Sequence, residues 1–494
     1  MASDSMLLAR WLSREGESRA AVYDARGAHA WSEVVDASDR VATALLDGRR
    51  SLDGERIALL VSPGALFVAC FFGVLRAGGA VVVLSHLHPP PETRYFCDDA
   101  GVRTVITSAD QAARVGFLAP ERSVLLAETL VIHLRGAIAA APTQDDPALQ
   151  LYTSGTTGKP KGAVITHRNL ATQQELLAAA WDWREEDVLL HVLPLHHMHG
   201  LAIALLSAIG AGAATRFLPA FDAAATWDAL SQATVFMAVP TIHSKLLAAL
   251  DAADPHTRTR WGRHALGLRL VTSGSAALPV TVGERWRSLG QAYPLERFGM
   301  TEIGVGTTNP LDPAGRRPGT VGRALPTVQT RVVDDELWIA GPSVFPGYHG
   351  KPEATRGAFV VQDGTRWFRT GDTVSRDDDG YVRILGRTSV DILKSGGYKL
   401  SALEIEEVLR EHPAVAEVAV VGLPDATWGE RVVACVVPRP GQDDECTEDA
   451  LRGFCRERLA AYKVPRQVVR MRELPRNAVG KVIKPELVVL LKRP

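Results

Sequence analysis

The sequence predicts an α/β protein: a large N-terminal part of parallel-sheet subdomains with a small β-rich annex, then a small α+β part. Three observations lead there. Apolar segments of strand and helix length alternate through the first half, short strands between Gly, Pro and Asp fill residues 317–386, and the texture changes again after Gly386. The 494 residues exceed one ordinary core, so at least two domains are expected.

Residues 56–61 (RIALLV) read as a buried strand, 66–75 as a helix closed by Ala-Gly-Gly, and 80–84 (AVVVL) as the next strand. The rhythm recurs at 104–107 and around 235–239, which predicts a mostly parallel sheet flanked by helices. Between 317 and 386, GTVGRALP, DELWIAGPSVFPGYHG and GYVRILG fit the β-rich annex. Beyond it, Ser401-Ala-Leu-Glu404 spells a capping box opening a helix through Leu409. Strands are expected at 418–421, 432–437 and 468–471, with a helix at 451–459. The boundary between the two parts falls near 387–391.

The 55 basic and 56 acidic residues leave a net charge of −1. That offers no broad footprint for nucleic acid or an anionic membrane, so any phosphate recognition must be local. Five cysteines (Cys70, Cys97, Cys435, Cys446, Cys455) show no C-x-x-C spacing, which argues against a disulfide framework and suits a reducing cytosol. The N-terminus has acidic flanks and no cleavage-like tail, and the longest apolar runs fall short of a membrane span. A cytoplasmic location is expected.

Residues 153–162, TSGTTGKPKG, lie between strand-like 149–152 and 163–166. Thr153, Ser154, Gly155, Thr156, Thr157 and Gly158 are small or hydroxyl-bearing, so backbone N–H groups can converge on phosphate oxygens while Lys159 and Lys161 add charge. This is not a Walker A loop, because Pro160 follows the lysine and a strand, not a helix, follows the loop. Alone, the run also suits a flexible hairpin turn. Four further motifs bear on the choice: FGMTE at 298–302, TGD at 370–372, GRTSVD at 386–391 with KSGG at 394–397, and PRNAVGK at 475–481.

In that order, and over nearly the whole chain, these motifs resemble the adenylate-forming superfamily of acyl-CoA synthetases, stand-alone adenylation domains and beetle luciferases. The resemblance implies an adenylating domain over 1–386, a hinge at 387–391 and a mobile lid domain over 392–494, with the active site between them. In such enzymes a carboxylate attacks the α-phosphorus of ATP. Both reactants are anions, so cations and Mg²⁺ are needed to offset their repulsion. By resemblance Glu302 ligates Mg²⁺, Thr301 hydrogen-bonds the α-phosphate, and Lys481 is the catalytic lysine reaching in from the lid. Asp372 would hold both ribose hydroxyls and Arg387 would bind near the ribose, while Ser275, Ala276, Ala277, Glu296, Phe298 and Gly299 would enclose the adenine. Lys394, Ser395, Gly396 and Gly397 would face CoA once the lid swings. The spacing from Arg387 to Asp391 is one residue longer than the common pattern, which leaves the pivot unassigned.

Histidines gather at His191, His196, His197 and His199, but without H-E-x-x-H or a nearby cysteine they do not read as zinc ligands. The resemblance makes 194–200 the pocket entrance, with His197 gating the carboxylate and His199 lining the acyl pocket beside Met300 and Ser275. Arg297 departs from the pattern, since many relatives with apolar substrates carry glycine there. A buried guanidinium requires an anion, and it grips a carboxylate bidentately. LERFGMTE resembles the malonyl-CoA synthetases, so malonate, or methylmalonate, is the expected acid and another short or medium acid the alternative, in which case Arg297 pairs with Glu296 or another acidic residue and fills space. No carrier-protein module is recognisable, so free CoA is the expected acceptor and a separate carrier protein the runner-up. A nucleotide-binding pseudoenzyme is the alternative from another class. The expected partners are small molecules (the acid, ATP and CoA) with Mg²⁺, and no nucleic acid, membrane or obligatory protein partner.

Overall fold

The computed structural model describes residues 4–153, 159–476 and 482–492. Two open α/β sheets dominate. In the seven-stranded sheet, Arg56–Leu60, Ala80–Val83, Thr104–Thr107, Ser123–Leu126 and Pro147–Thr153 run parallel, and Lys161–Thr166 turns back antiparallel to the last of them. In the nine-stranded sheet the parallel core runs Ala20–Asp24, Ala214–Phe217, Val188–His191, Val235–Ala238, Leu270–Ser273 and Leu295–Met300. These strands are short continuous apolar runs because helices cover both faces.

The predicted helix at 66–75 is Ala65–Arg76, and nearly every residue of it is buried. A helix apolar on all sides must be covered on all sides, and this one packs against strands of both sheets. Gly73 allows the helix Trp31–Leu46 to approach: a Cβ there would lie 2.6 Å from Cβ of Val41. Trp11 stacks on Phe72 at 3.9 Å between ring centroids, closing the same core.

The β-rich annex is a sheet of Gln329–Val333, Glu336–Ala340, Thr365–Arg376, Phe359–Gln362 and Val382–Arg387. Two stretches expected in it belong elsewhere. Arg323–Ala324 pairs with the edge strand Gly304–Thr308 of the nine-stranded sheet, and Gly347–Tyr348 pairs with Lys161–Thr166. Both are two-residue strands that cover an edge left open by a larger sheet.

The C-terminal sheet comprises Tyr398–Ser401, Ile392–Ser395, Gly429–Pro438, Val415–Asp425 and the parallel strand Gln467–Arg470. Its buried residues form two clusters of their own, one per face. Ser401 caps the helix Ala402–Arg410 by accepting from the Glu404 amide, but the reciprocal half of the predicted capping box is replaced by another partner. The Glu404 carboxylate pairs with Lys463 at 2.6 Å. This sheet meets the rest of the chain where Ser401 Oγ donates to the Leu385 carbonyl (2.5 Å), the Val280 amide donates to Glu407 (2.8 Å) and Lys399 approaches Asp335 (3.4 Å).

Candidate active site

The C-terminal ends of parallel strands are where open α/β sheets place their ligands, and several of the predicted residues lie there. Leu270–Ser273 ends in Gly274 and Ser275; Ser275 is exposed with φ +70°, a left-handed conformation uncommon for a non-glycine residue. Ala276 and Ala277 follow it, also exposed. The neighbouring strand Leu295–Met300 carries Glu296, Arg297, Phe298, Gly299 and Met300, and Thr301 and Glu302 form the turn after it. Its pairing with Gly304–Thr308 shifts register between Phe298 and Gly299. Gly299 is needed there, since a Cβ would lie 2.2 Å from the Gly304 carbonyl oxygen.

Arg297 is 3% exposed, and its Nε and Nη2 have no hydrogen-bond partner among the described residues. Burial pulls its pKa down to about 9. The suspected partner Glu296 is occupied: it accepts the Gly319 amide at 2.8 Å and also bonds the Leu278 amide, and burial pushes its pKa up to about 8. Neighbours on a strand face opposite sides, which separates Glu296 from Arg297. Its carboxylate therefore serves the backbone, an outcome the motif spacing did not reveal. An unpaired buried guanidinium costs several kcal/mol, so this pocket is built for an anion it does not itself supply.

Two features shape that pocket. A Cβ at Gly274 would lie 2.5 Å from Cζ of Arg297, so any larger residue there pushes the guanidinium out of its present place. His199 begins a π-helical stretch, His199–Leu205, of the kind that recurs at functional sites. Its Nδ1 lies 3.2 Å from Ser275 Oγ, and its buried Nε2 has no hydrogen-bond partner among the described residues. Burial first, then the charge of Arg297, holds His199 well below the ordinary histidine pKa. His197 is half-buried and held at about 4, by burial and then His88. Both imidazoles are neutral at pH 7.

A second cluster surrounds Glu302. The carboxylate is 5% exposed, accepts from Tyr348 Oη at 2.9 Å, and is raised in pKa chiefly by burial, with Arg387 and Lys161 opposing. No ion pair is recorded for it among the described residues, so a divalent cation fits here as the missing counter-charge. Lys161 sits over the Tyr348 ring at 4.5 Å, and Lys159 over Tyr95 at 5.3 Å. Thr153 pairs with Lys161 across the foot of the loop. The remaining loop candidates, Ser154, Gly155, Thr156, Thr157 and Gly158, lie outside the described residues, as does Lys481.

Asp372 and Arg387 are cross-strand neighbours, with Arg387 Nε 3.2 Å from Asp372 Oδ1. Arg387 Nη1 donates to the Thr370 carbonyl at 2.6 Å, which sets the guanidinium against the TGD segment of the strand Thr365–Arg376. Lys394 and Ser395 end the first strand of the hairpin Ile392–Ser395/Tyr398–Ser401, and Gly396 and Gly397 form its turn; both glycines have positive φ. Their contacts lie within the C-terminal sheet: the Lys394 amide donates to Glu430 (2.5 Å) and the Gly396 amide to the Trp428 carbonyl (2.9 Å).

Sequence reasoning missed Gly274, Tyr348 and the π-helical setting of His199. The first two stand beside recognisable motifs, in TSGSAA and GYHG, but nothing local marks their partners.

The AMP-binding enzyme family matches residues 8–349, and the AMP-binding enzyme C-terminal domain matches 404–481. The mitochondrial malonate–CoA ligase ACSF3 of Mus musculus is 40% identical, over 95% of this chain and 88% of its own. Among solved structures, ATP-bound MatB from Rhodopseudomonas palustris is similar with a TM-score of 0.89 at 33% identity, over 99% of both chains. A malonyl-CoA ligase in a ternary product complex with methylmalonyl-CoA and AMP gives 0.68 at 36% identity, over 94% of this chain and 99% of that one. Matched across both its large and small parts, the chain belongs to the AMP-binding enzyme family.

Proposed function

We propose that the protein is an AMP-forming acid–thiol ligase that converts malonate, ATP and CoA into malonyl-CoA, AMP and pyrophosphate. One observation carries the choice of acid: Arg297, buried, with two nitrogens unpartnered among the described residues, fitted against Gly274 and sharing its pocket with His199. A distal carboxylate supplies the absent anion and accepts both nitrogens, while an alkyl chain leaves them bare. The malonate–CoA ligase identity of the mouse relative supports the same reading.

In the first step a carboxylate oxygen bonds to the α-phosphorus as the bond to pyrophosphate breaks. In the second, the CoA sulfur bonds to the acyl carbon, its proton departs and AMP leaves. Thr301 bonds the α-phosphate, Asp372 and Arg387 hold the ribose, and Phe298 with Ser275, Ala276 and Ala277 encloses the adenine. Neutral His197 stands at the carboxylate entrance, where it adds no competing charge. Glu302, steadied by Tyr348, would hold Mg²⁺, whose contribution when bound is to neutralise phosphate charge. Lys481 would place a cation between the two anionic reactants.

The domain reading is 1–386, a hinge at 387–391, and a lid over 392–494 whose Lys394–Gly397 turn meets CoA. The ATP-bound relative is more similar in structure than the CoA product complex despite its lower identity, which supports an adenylating arrangement. A cytoplasmic location is proposed from the cysteine usage of this chain, whereas the mouse relative is mitochondrial by name; subcellular fractionation tests it.

The decisive experiment is ATP–pyrophosphate exchange with malonate, methylmalonate, acetate, benzoate and octanoate, with and without CoA, repeated with Arg297→Ala. Malonate should win and should lose its advantage in the variant. A preference for octanoate or benzoate, or an Arg297→Ala enzyme with intact malonate activity, refutes the dicarboxylate reading. No AMP from any acid refutes the enzyme reading.

A further inference from the structure

Lys484 opens the last helix, Lys484–Leu491, yet it is only 9% exposed. Its ammonium lies 2.5 Å from Asp391 Oδ1 and 2.7 Å from Glu406 Oε1. The two carboxylates lead to different places. Glu406, on the helix Ala402–Arg410, accepts the Val420 amide at 2.8 Å and pairs with Arg410 at 3.0 Å, all within the C-terminal sheet and its helices. Asp391 leads out of that unit. Its Oδ2 accepts the Arg387 amide at 3.0 Å, and Arg387 in turn holds Asp372 through Nε. Room for the Asp391 side chain is built in, because a Cβ on Gly386 would lie 2.3 Å from Cβ of Asp391. The Ala402 amide donates to the Asp391 carbonyl, fixing this residue from its backbone as well.

A salt bridge meant only to hold the small sheet together needs Glu406 alone. The second arm ties the last helix, across the proposed hinge, to the arginine beside the proposed ribose carboxylate. We propose that Lys484 is a positioning residue for adenylation: through Asp391 and Arg387 it orders Asp372 for the ribose of ATP. Rotation about residues 387–391 alters the backbone that links Arg387 to Asp391. The arm is therefore in register for one arrangement of the small domain, and releasing it loosens the nucleotide clamp as the lid swings. This inference rests on the reading of Asp372 and Arg387 as the ribose site.

The test compares Lys484→Met, Asp391→Asn and Glu406→Gln in the full chain. ATP–pyrophosphate exchange reports adenylation, conversion of a presented acyl-adenylate by CoA reports thiolation, and thermal melting reports stability. Lys484→Met and Asp391→Asn should each raise the KM for ATP about 10-fold. Thiolation should change far less, and the double variant should be no worse than either single one. Glu406→Gln should lower the melting temperature without that KM effect. Lys484→Arg keeps the charge and should recover most of the ATP affinity, which also covers the case in which the methionine variant fails to fold. Equal loss in both half-reactions, or an unchanged KM for ATP in Lys484→Met, overturns the proposal. Asp372→Asn run in parallel separates the two levels. If it leaves ATP binding intact, the ribose reading fails; if it weakens ATP binding while Lys484→Met does not, only the positioning role fails.

Discussion

Gly274 and Arg297 are made for each other: the guanidinium occupies the volume a side chain at 274 would take, with Cζ and Nε each 2.5 Å from where a Cβ would stand. Both sit in backbone that other strands hold fixed, so a methyl group must displace the arginine. Gly274→Ala should lower kcat/KM for malonate about 10- to 100-fold while activity with acetate falls much less. Steady-state kinetics with the two acids checks this.

Removing the charge should have opposite effects on activity and stability. Arg297→Met takes out a buried cation with two nitrogens unpartnered among the described residues, and with it a desolvation cost of roughly several kcal/mol. The melting temperature without ligand should rise, by less per kcal/mol than the roughly 2–4 °C of a domain half this size. Malonate should raise the melting temperature of the native enzyme and leave that of the variant unmoved. Calorimetry of both proteins with and without malonate reads all of this.

Tyr348→Phe deletes the hydroxyl that donates to Glu302 while preserving the ring beneath Lys161. A hydrogen bond to a charged group contributes about 1.5–3 kcal/mol, so the Mg²⁺ concentration for half-maximal adenylation should rise about 10-fold. An Mg²⁺ titration at fixed ATP is the measurement.

Acid should destabilise the fold before it reaches the carboxylates. Burial holds His167, His191, His197 and His243 at about 4 and His196, aided by its histidine neighbours, at about 2. Between pH 6.5 and 4 the unfolded chain binds these protons and the folded one does not, so stability falls as pH falls through that window. Glu296 acts in the other direction: protonated up to about 8 when folded, it withdraws stability as pH rises from 4.5 to 8. Below 6.5 these histidines, joined by His199, outnumber Glu296 and Glu302, the two buried carboxyls whose raised pKa values act in the opposite direction. Maximal stability near pH 6.5 is expected, with melting temperature against pH as the readout.

The sheets and helices were legible because each is a contiguous apolar run of the right length, as at 56–60 and 65–76. The motifs proposed for phosphate and ribose stand out in the sequence for the same reason, each being a short unbroken string. What escaped joins distant residues: Tyr348 to Glu302, Gly274 to Arg297, Lys484 to Asp391. No periodicity records such pairings. The occupation of Glu296 was hidden too, since a strand's sequence does not say which face meets solvent and which meets the Gly319 amide. The π-helical turn at His199–Leu205 reads in sequence as any Gly-Ala-Leu helix.

The bulge between Phe298 and Gly299 has an evolutionary corollary. Immediately before it, one strand carries Arg297 into the acid pocket and presents Phe298 on its other side. Under the proposed function the strand is a party wall between two rooms, with Ser275, which touches His199, as a doorway they share. New acid preferences would then be reachable chiefly by exchange of Arg297, whereas a change at Gly274, next to Ser275, presses on both sides of the wall.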